Sequence, residues 1–191
     1  MEKMYFDFAQ PKVQISGGMA LVLLNEEKQE QTHTIPAGED GEEETTETIT
    51  QWVYDGVWLP NCASEDKVVD AAKNYIIANI EKYDDSTDVN QFYVNNIGVW
   101  FKPDERKTIE YGVRCSQSTG RSSYDVTWNS MQVSVPCDTA LQILAQIEVY
   151  ALDCLNVTAK HKAAVESFTT AEEVLSYDYT TGYPEKLNFT L

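Results

Sequence analysis

Ala140-Leu141-Gln142-Ile143-Leu144-Ala145-Gln146-Ile147-Glu148-Val149-Tyr150-Ala151-Leu152-Asp153-Cys154-Leu155 is the longest periodic run in the chain. It follows closely on Val133-Ser134-Val135-Pro136, which reads as the exit of a strand. Ala140, Leu141, Leu144, Ile147, Ala151, Leu152 and Leu155 recur at three- and four-residue spacing, the period of an amphipathic helix. Ile143, Tyr150 and Cys154 widen the apolar face. So wide a face predicts a helix over 138–165 buried against a sheet and against another helix or a partner. Asp138 or Thr139 is expected to cap it, Thr139 and Gln142 forming a capping box. Leu144, Ile147, Tyr150 and Ala151 are its candidate packing and docking residues.

Downstream, Thr170-Ala171-Glu172-Glu173 is a second capping box and predicts a short helix to about Tyr177. Gly182 and Pro184 then stop it, and Tyr183 joins the candidate docking residues. Upstream, Tyr124 to Val135 reads as strand, with Asn129-Ser130 as a hairpin turn. Thr108 to Arg114 fits helix and strand equally, and Cys115 to Ser123 is polar and turn-rich. Lys102-Pro103-Asp104-Glu105-Arg106 opens a short helix with Pro in its first turn. Asn95-Asn96-Ile97-Gly98 is a candidate turn between strands at Phe92–Val94 and Val99–Phe101. A helix is predicted over Ala63 to Tyr83, capped by Ser64, with Val68, Ala71, Ala72, Tyr75, Ile76, Asn79 and Ile80 as its stripe.

The first 62 residues read as a small β region. Met19 to Asn25, after Gly17-Gly18, is a candidate buried strand, and Thr48 to Leu59 is a second. Asp55-Gly56 supplies a turn pair, so a hairpin is expected there with Tyr54 and Trp58 meeting beside the turn. Trp52, Tyr54 and Trp58 are the candidate partner or glycan contacts. Between the strands, Glu26 to Glu47 holds nine acidic residues and one lysine, together with Pro36, Gly38 and Gly41. That composition predicts a long loop, because it buries too little apolar area to offset its ordering entropy. Its spacing does not fit a calcium-binding loop.

The 191 residues carry 31 Asp and Glu against 14 Lys and Arg, a formal net charge of −17. A field of that sign repels phosphate backbones and anionic lipid, so neither nucleic acid nor membrane is expected as a partner. No uninterrupted apolar run approaches the roughly 20 residues of a membrane helix. The four cysteines, Cys62, Cys115, Cys137 and Cys154, are widely spaced and suit a reducing compartment.

Chemistry-bearing patterns are sparse. His33 and His161 lack a second ligand at zinc spacing. No nucleophile elbow or phosphate loop occurs. Glu148 lies nearly on the apolar stripe, and pairing with Arg114, Lys82 or Arg106 is expected there. No catalytic residue, metal or cofactor is expected, and the chain does not read as an enzyme.

Two stretches carry a resemblance. One is Ile80-Glu81-Lys82-Tyr83-Asp84-Asp85-Ser86-Thr87-Asp88-Val89-Asn90-Gln91-Phe92, followed by Val99-Trp100-Phe101 and Arg106. The other is Asp153-Cys154-Leu155-Asn156-Val157-Thr158-Ala159-Lys160-His161-Lys162-Ala163-Ala164-Val165-Glu166, followed by Tyr177-Asp178-Tyr179-Thr180-Thr181-Gly182-Tyr183-Pro184-Glu185-Lys186-Leu187. Together they resemble an uncharacterised domain of tailed-bacteriophage and prophage proteins, common in phages of gut Bacteroidales. The likeness spans roughly residues 65–189. Some members of that family resemble tail-fibre assembly proteins.

The resemblance implies a phage context; the role expected first is a virion-associated structural protein, an accessory of tail, neck or head surface, assembled in the bacterial host cytoplasm. Its expected partners are other phage structural proteins or further copies of itself. A tail-fibre assembly chaperone that leaves the finished particle and a carbohydrate-binding module are the alternatives. The expected fold is α+β: a β region over 1–62 with its acidic loop at 26–47, then a domain over 63–191 of a few antiparallel strands on two main helices.

Overall fold

The computed structural model describes residues 1–35, 45–128 and 131–191, and the fold is α+β. The chain divides into two compact units, Met1–Ile77 with Val165–Tyr177, and Ala78–Ala164 with Asp178–Leu191. The composition boundary at residue 62 separates strands from helix; the compact units part instead at Ile77 and again near Val165.

In the first unit, β1 (Glu2–Phe6), β2 (Val13–Ser16), β3 (Met19–Ile35) and β4 (Thr45–Pro60) form an antiparallel sheet in the order β1-β4-β3-β2. Ser16 pairs with Met19 across Gly17 and Gly18, whose φ of 59° and 78° suit the two-residue turn that matches strand twist. Leu21, Leu23 and Tyr54 are buried on one face, with Met4, Phe6 and Trp52 against them. Ala20, Val22, Leu24, Val53, Val57 and Leu59 are buried on the other. Burial on both faces is why residues 19–24 read as an unbroken apolar run.

The expected turn at Asp55-Gly56 is not a turn. Both residues lie mid-strand in β4, Asp55 opposite Lys3 and Gly56 opposite Glu2. Gly56 answers a packing need there, because a side chain on it would collide with the Met4 thioether. The loop expected over 26–47 is also mostly strand. Residues 26–35 and 45–47 belong to β3 and β4, and the rest of that stretch, 36–44, lies outside the described residues. The acidic count concealed a Gln- and Thr-rich alternation that suits a pleated ribbon.

A bulge interrupts β3 between Leu24 and Glu27, with Asn25 at φ 52°. Two residues, Asn25 and Glu26, there oppose Tyr54 alone. The strand's side-chain alternation is thereby inverted beyond residue 24, and Glu26 comes onto the same face as Tyr54.

Helix α1 (Glu65–Asp84) buries Val68, Ala72, Ile76 and Ile80 at strict four-residue spacing, while Tyr75 is exposed. The first unit also holds α5 (Ala171–Leu175), which rests on β3. The Thr170 hydroxyl accepts from Glu173 N, and the Glu173 carboxylate accepts from Thr170 N, so the expected capping box forms.

In the second unit, α2 (Thr87–Asn90) precedes a hairpin of β5 (Phe92–Val94) and β6 (Ile97–Val99). The turn is the pair Asn95-Asn96, both at positive φ, so β6 begins two residues earlier than expected. α3 (Pro103–Ser118) is one continuous helix, which resolves Thr108 to Arg114 as helical and draws Cys115 to Ser118 into it. β7 (Ser123–Trp128) and β8 (Met131–Pro136) pair antiparallel, and the expected turn residues Asn129-Ser130 lie outside the described residues. The Tyr124 ring lies against Gly112, and a side chain at that position would have to displace it. β9 (Asn188–Phe189) adds to β5 in parallel, giving the order β6-β5-β9.

Helix α4 runs from Cys137 to Ser167. Asp138 lies inside its first turn and accepts a hydrogen bond from Gln117, so it does not precede the helix as a cap. The most buried positions of α4 are Cys137, Ala140, Leu144, Ile147, Tyr150, Cys154, Thr158, His161 and Val165. Leu152 and Leu155, expected on that face, are more than half exposed.

Candidate functional site

Beyond the four-stranded sheet, β3 and β4 continue as a ribbon. β1 pairs with β4 only over 52–56, and β2 pairs with β3 only over 19–22. The seven pairs from Gln29↔Gln51 to Ile35↔Thr45 have no third strand among the described residues. At about 3.4 Å per residue the ribbon is roughly 24 Å long. Among the described residues, neither of its edges has a strand to take its outward backbone N–H and C=O groups. An open edge of that kind is a template for another chain, and a two-stranded ribbon alone in water is marginal.

The base of the ribbon is held by side chains. The Tyr54 hydroxyl donates to Glu26 at 2.9 Å and accepts from Gln10 N at 3.0 Å. Burial raises the Tyr54 phenol above its ordinary value, and the Glu26 carboxylate adds to this against the Gln10 N–H. Asp55 accepts from Asn25 at 2.9 Å and pairs with Lys3 at 3.0 Å, and both hold its carboxyl below the ordinary range. These contacts tie β1, β3 and β4 together where the ribbon leaves the sheet.

The three candidate aromatic contacts part company. Tyr54 is 1% exposed and Trp52 is half-buried beside it, whereas Trp58 is 53% exposed. Tyr54 and Trp58 lie on one strand and do not meet across a turn. Trp58 thus offers a single ring face, and Tyr54 offers none.

Of the candidate docking residues of the second unit, Leu144, Ile147 and Tyr150 are interior, and Ala151 and Tyr183 are half-buried. Leu144 lines an apolar cavity, and Ile147 packs on Phe92 and Val99. Tyr150 packs with Val89 and Cys154 and donates to Val89 O at 2.6 Å, while Ala151 is half-buried. Tyr183 joins the Tyr150 cluster, lies edge-on to Tyr83, and shares a 2.9 Å hydrogen bond with Thr158. The Thr158 hydroxyl lies 2.6 Å from Asp84. His161 is buried; its Nε2 meets Thr181 O at 2.9 Å and its ring tilts on Tyr183. The tail around Tyr183 is therefore anchored by a polar and aromatic lock inside its own unit.

The cavity is about 90 Å³ and is walled by apolar side chains of β5, β6, α3, β7, β8 and α4 with Leu191.

Sequence reasoning missed Asn25, whose left-handed backbone makes the bulge, whereas the expected pairing of Glu148 with Arg106 forms. Glu148 is half exposed, and the buried member of its pair is Arg106. An asparagine ending an apolar run was the available signal for the bulge.

No family model matches the chain, and no similar curated protein or solved structure was found.

Proposed function

We propose that this chain is a virion-associated structural protein of a tailed bacteriophage, an accessory of tail, neck or head surface that works by packing and not by turnover. The β3–β4 ribbon carries this role. Its open edges suit strand addition by a neighbouring subunit, in which main-chain hydrogen bonds supply affinity and alternate side chains supply specificity. The resemblance of residues 80–106 and 153–187 supports the phage context. The charge of −17 favours protein partners over nucleic acid or lipid. By length and composition α4 is apolar enough to cross a membrane. Glu148 and Asp153 at mid-helix, and the buried stripe, suit a core helix instead.

The same open edges would serve a tail-fibre assembly chaperone, which lends an edge to a subunit and then releases it. Quantitative mass spectrometry of purified virions separates the two. Presence at a fixed copy number per particle is the expected result. Absence from particles, with presence in infected-cell lysate, overturns the structural role in favour of the chaperone.

A further inference from the structure

Helix α4 carries a second seam, away from its buried stripe. Ala145, Val149, Leu152, Asn156, Ala159 and Ala163 follow one another at alternating four- and three-residue steps, and all are exposed. Leu155 is exposed beside them. Numbered as a heptad, the seam places Val149 and Asn156 at a and Leu152 at d. Exposed positions at this heptad spacing form a seam along which two helices can pair.

The charges beside the seam are polarised. Glu148 and Asp153 lie in its N-terminal half, Lys160 and Lys162 in its C-terminal half, so this stretch is neutral within a chain of net −17. A surface depression next to it, lined by Val149, Tyr150, Pro184 and Leu187, has Asp153 and Glu185 at its rim and adds acid to the same half. A parallel copy would set acids against acids and lysines against lysines. An antiparallel copy sets each acidic half against a basic one.

We propose that α4 pairs with α4 of a second copy, antiparallel about a two-fold axis, through this seam. All six positions overlap when Leu152 meets Asn156 of the second copy, Val149 meets its Ala159 and Ala145 meets its Ala163. Leu155 then meets its counterpart near the axis, and Glu148 faces Lys162 across the seam. Within the chain Glu148 already holds Arg106, and Lys162 already holds Glu81. The contacts across the seam are therefore shared with these intrachain ion pairs. Asp153 meets its counterpart at the wet rim, where solvent screens the like charges. The contact is isologous and closes as a dimer. It stands apart from the phage assignment, since a dimer in solution neither needs nor implies a virion.

Sedimentation velocity on the full chain over a hundredfold concentration range tests the pairing. A monomer–dimer equilibrium is expected, with Leu152→Asp and Val149→Asp each weakening it at least tenfold. Melting of the isolated protomer should not change, because both side chains are exposed. A monomer at every concentration, or a dimer indifferent to both substitutions, overturns the proposal. Orientation is read in a Cys115→Ser background, which removes the exposed native thiol. Chains carrying only Leu152→Cys are mixed with chains carrying only Asn156→Cys and oxidised. Mixed disulfides between the two chain types are expected. Disulfides confined to like chains overturn the antiparallel arrangement.

Discussion

Arg106 and Glu148 form an ion pair that is buried on one side and wet on the other. Nε of Arg106 lies 2.6 Å from Oε1 of Glu148, with side-chain exposures of 8% and 51%. Nη1 also donates to Phe101 O at 2.9 Å, so the guanidinium ties α3 to α4 and to the connection that follows β6. Removing the carboxylate strands a buried cation, whereas replacing both partners does not. Glu148→Ala should cost about 1–3 kcal/mol in urea unfolding. Adding Arg106→Met should recover part of that loss, and a double variant less stable than Glu148→Ala would refute the account.

Asp55 makes the sheet acid-sensitive. Asn25 and Lys3 lower its carboxyl below the ordinary value, so its contribution is complete above the unfolded value of about 4 and is lost as pH falls through the lower folded value. Glu173 and Asp178 are lowered too, chiefly by the Thr170 and Thr180 hydroxyls, and act in the same direction. Asp55→Asn should therefore flatten, without abolishing, the loss of urea midpoint below about pH 4. An acid limb identical to wild type would show that the pair contributes nothing.

Tyr150 should matter at neutral pH and again in alkali. Its hydroxyl donates to Val89 O, and Tyr150→Phe leaves that buried carbonyl unpartnered at a cost of about 1–3 kcal/mol. Burial raises the Tyr150 phenol well above its ordinary value, the neighbouring Cys154 adding to the shift. The unfolded chain thus ionises first, and this part of the stability is present below about pH 10 and declines above it. The Phe variant should show a shallower alkaline decline, measured as melting temperature between pH 8 and 11.

The apolar cavity should accept added volume. Ala140→Leu points new methyl groups toward it and is expected to stabilise by about 0.5–2 kcal/mol in chemical denaturation. A destabilised variant would mean that the walls are already too close for the larger side chain.

The Thr170 cap gives a local test. Thr170→Ala removes the hydroxyl that accepts from Glu173 N and should cost about 1 kcal/mol, while Thr170→Ser should cost little. Hydrogen exchange across 171–175 would report the loss directly.

Local signals were legible where chemistry is local. The Thr170 box, the Asn95-Asn96 turn and the α1 stripe follow from caps, left-handed residues and periodicity within a few positions. Asp55-Gly56 misled because the same glycine that permits a turn also permits the Met4 thioether to lie across a strand. The α4 pattern misled in another way. The helix is apolar on two sides, and nothing in its own residues says which side meets the Phe92 and Val99 strands.

The sequence by itself determined that this is an acidic α+β chain with a long C-terminal helix, since charge, spacing and capping are properties of neighbours along the chain. Only the tertiary structure decided that Tyr54 is interior and Trp58 is not, and that β3 and β4 run on as an open-edged ribbon. It also decided that Leu144, Ile147 and Tyr150 face inward while Val149, Leu152 and Leu155 face out. Those outcomes depend on strand register, on the one-residue shift at Asn25, and on which of two apolar faces finds a sheet to cover it. Each of these is a long-range choice that no short window of sequence contains.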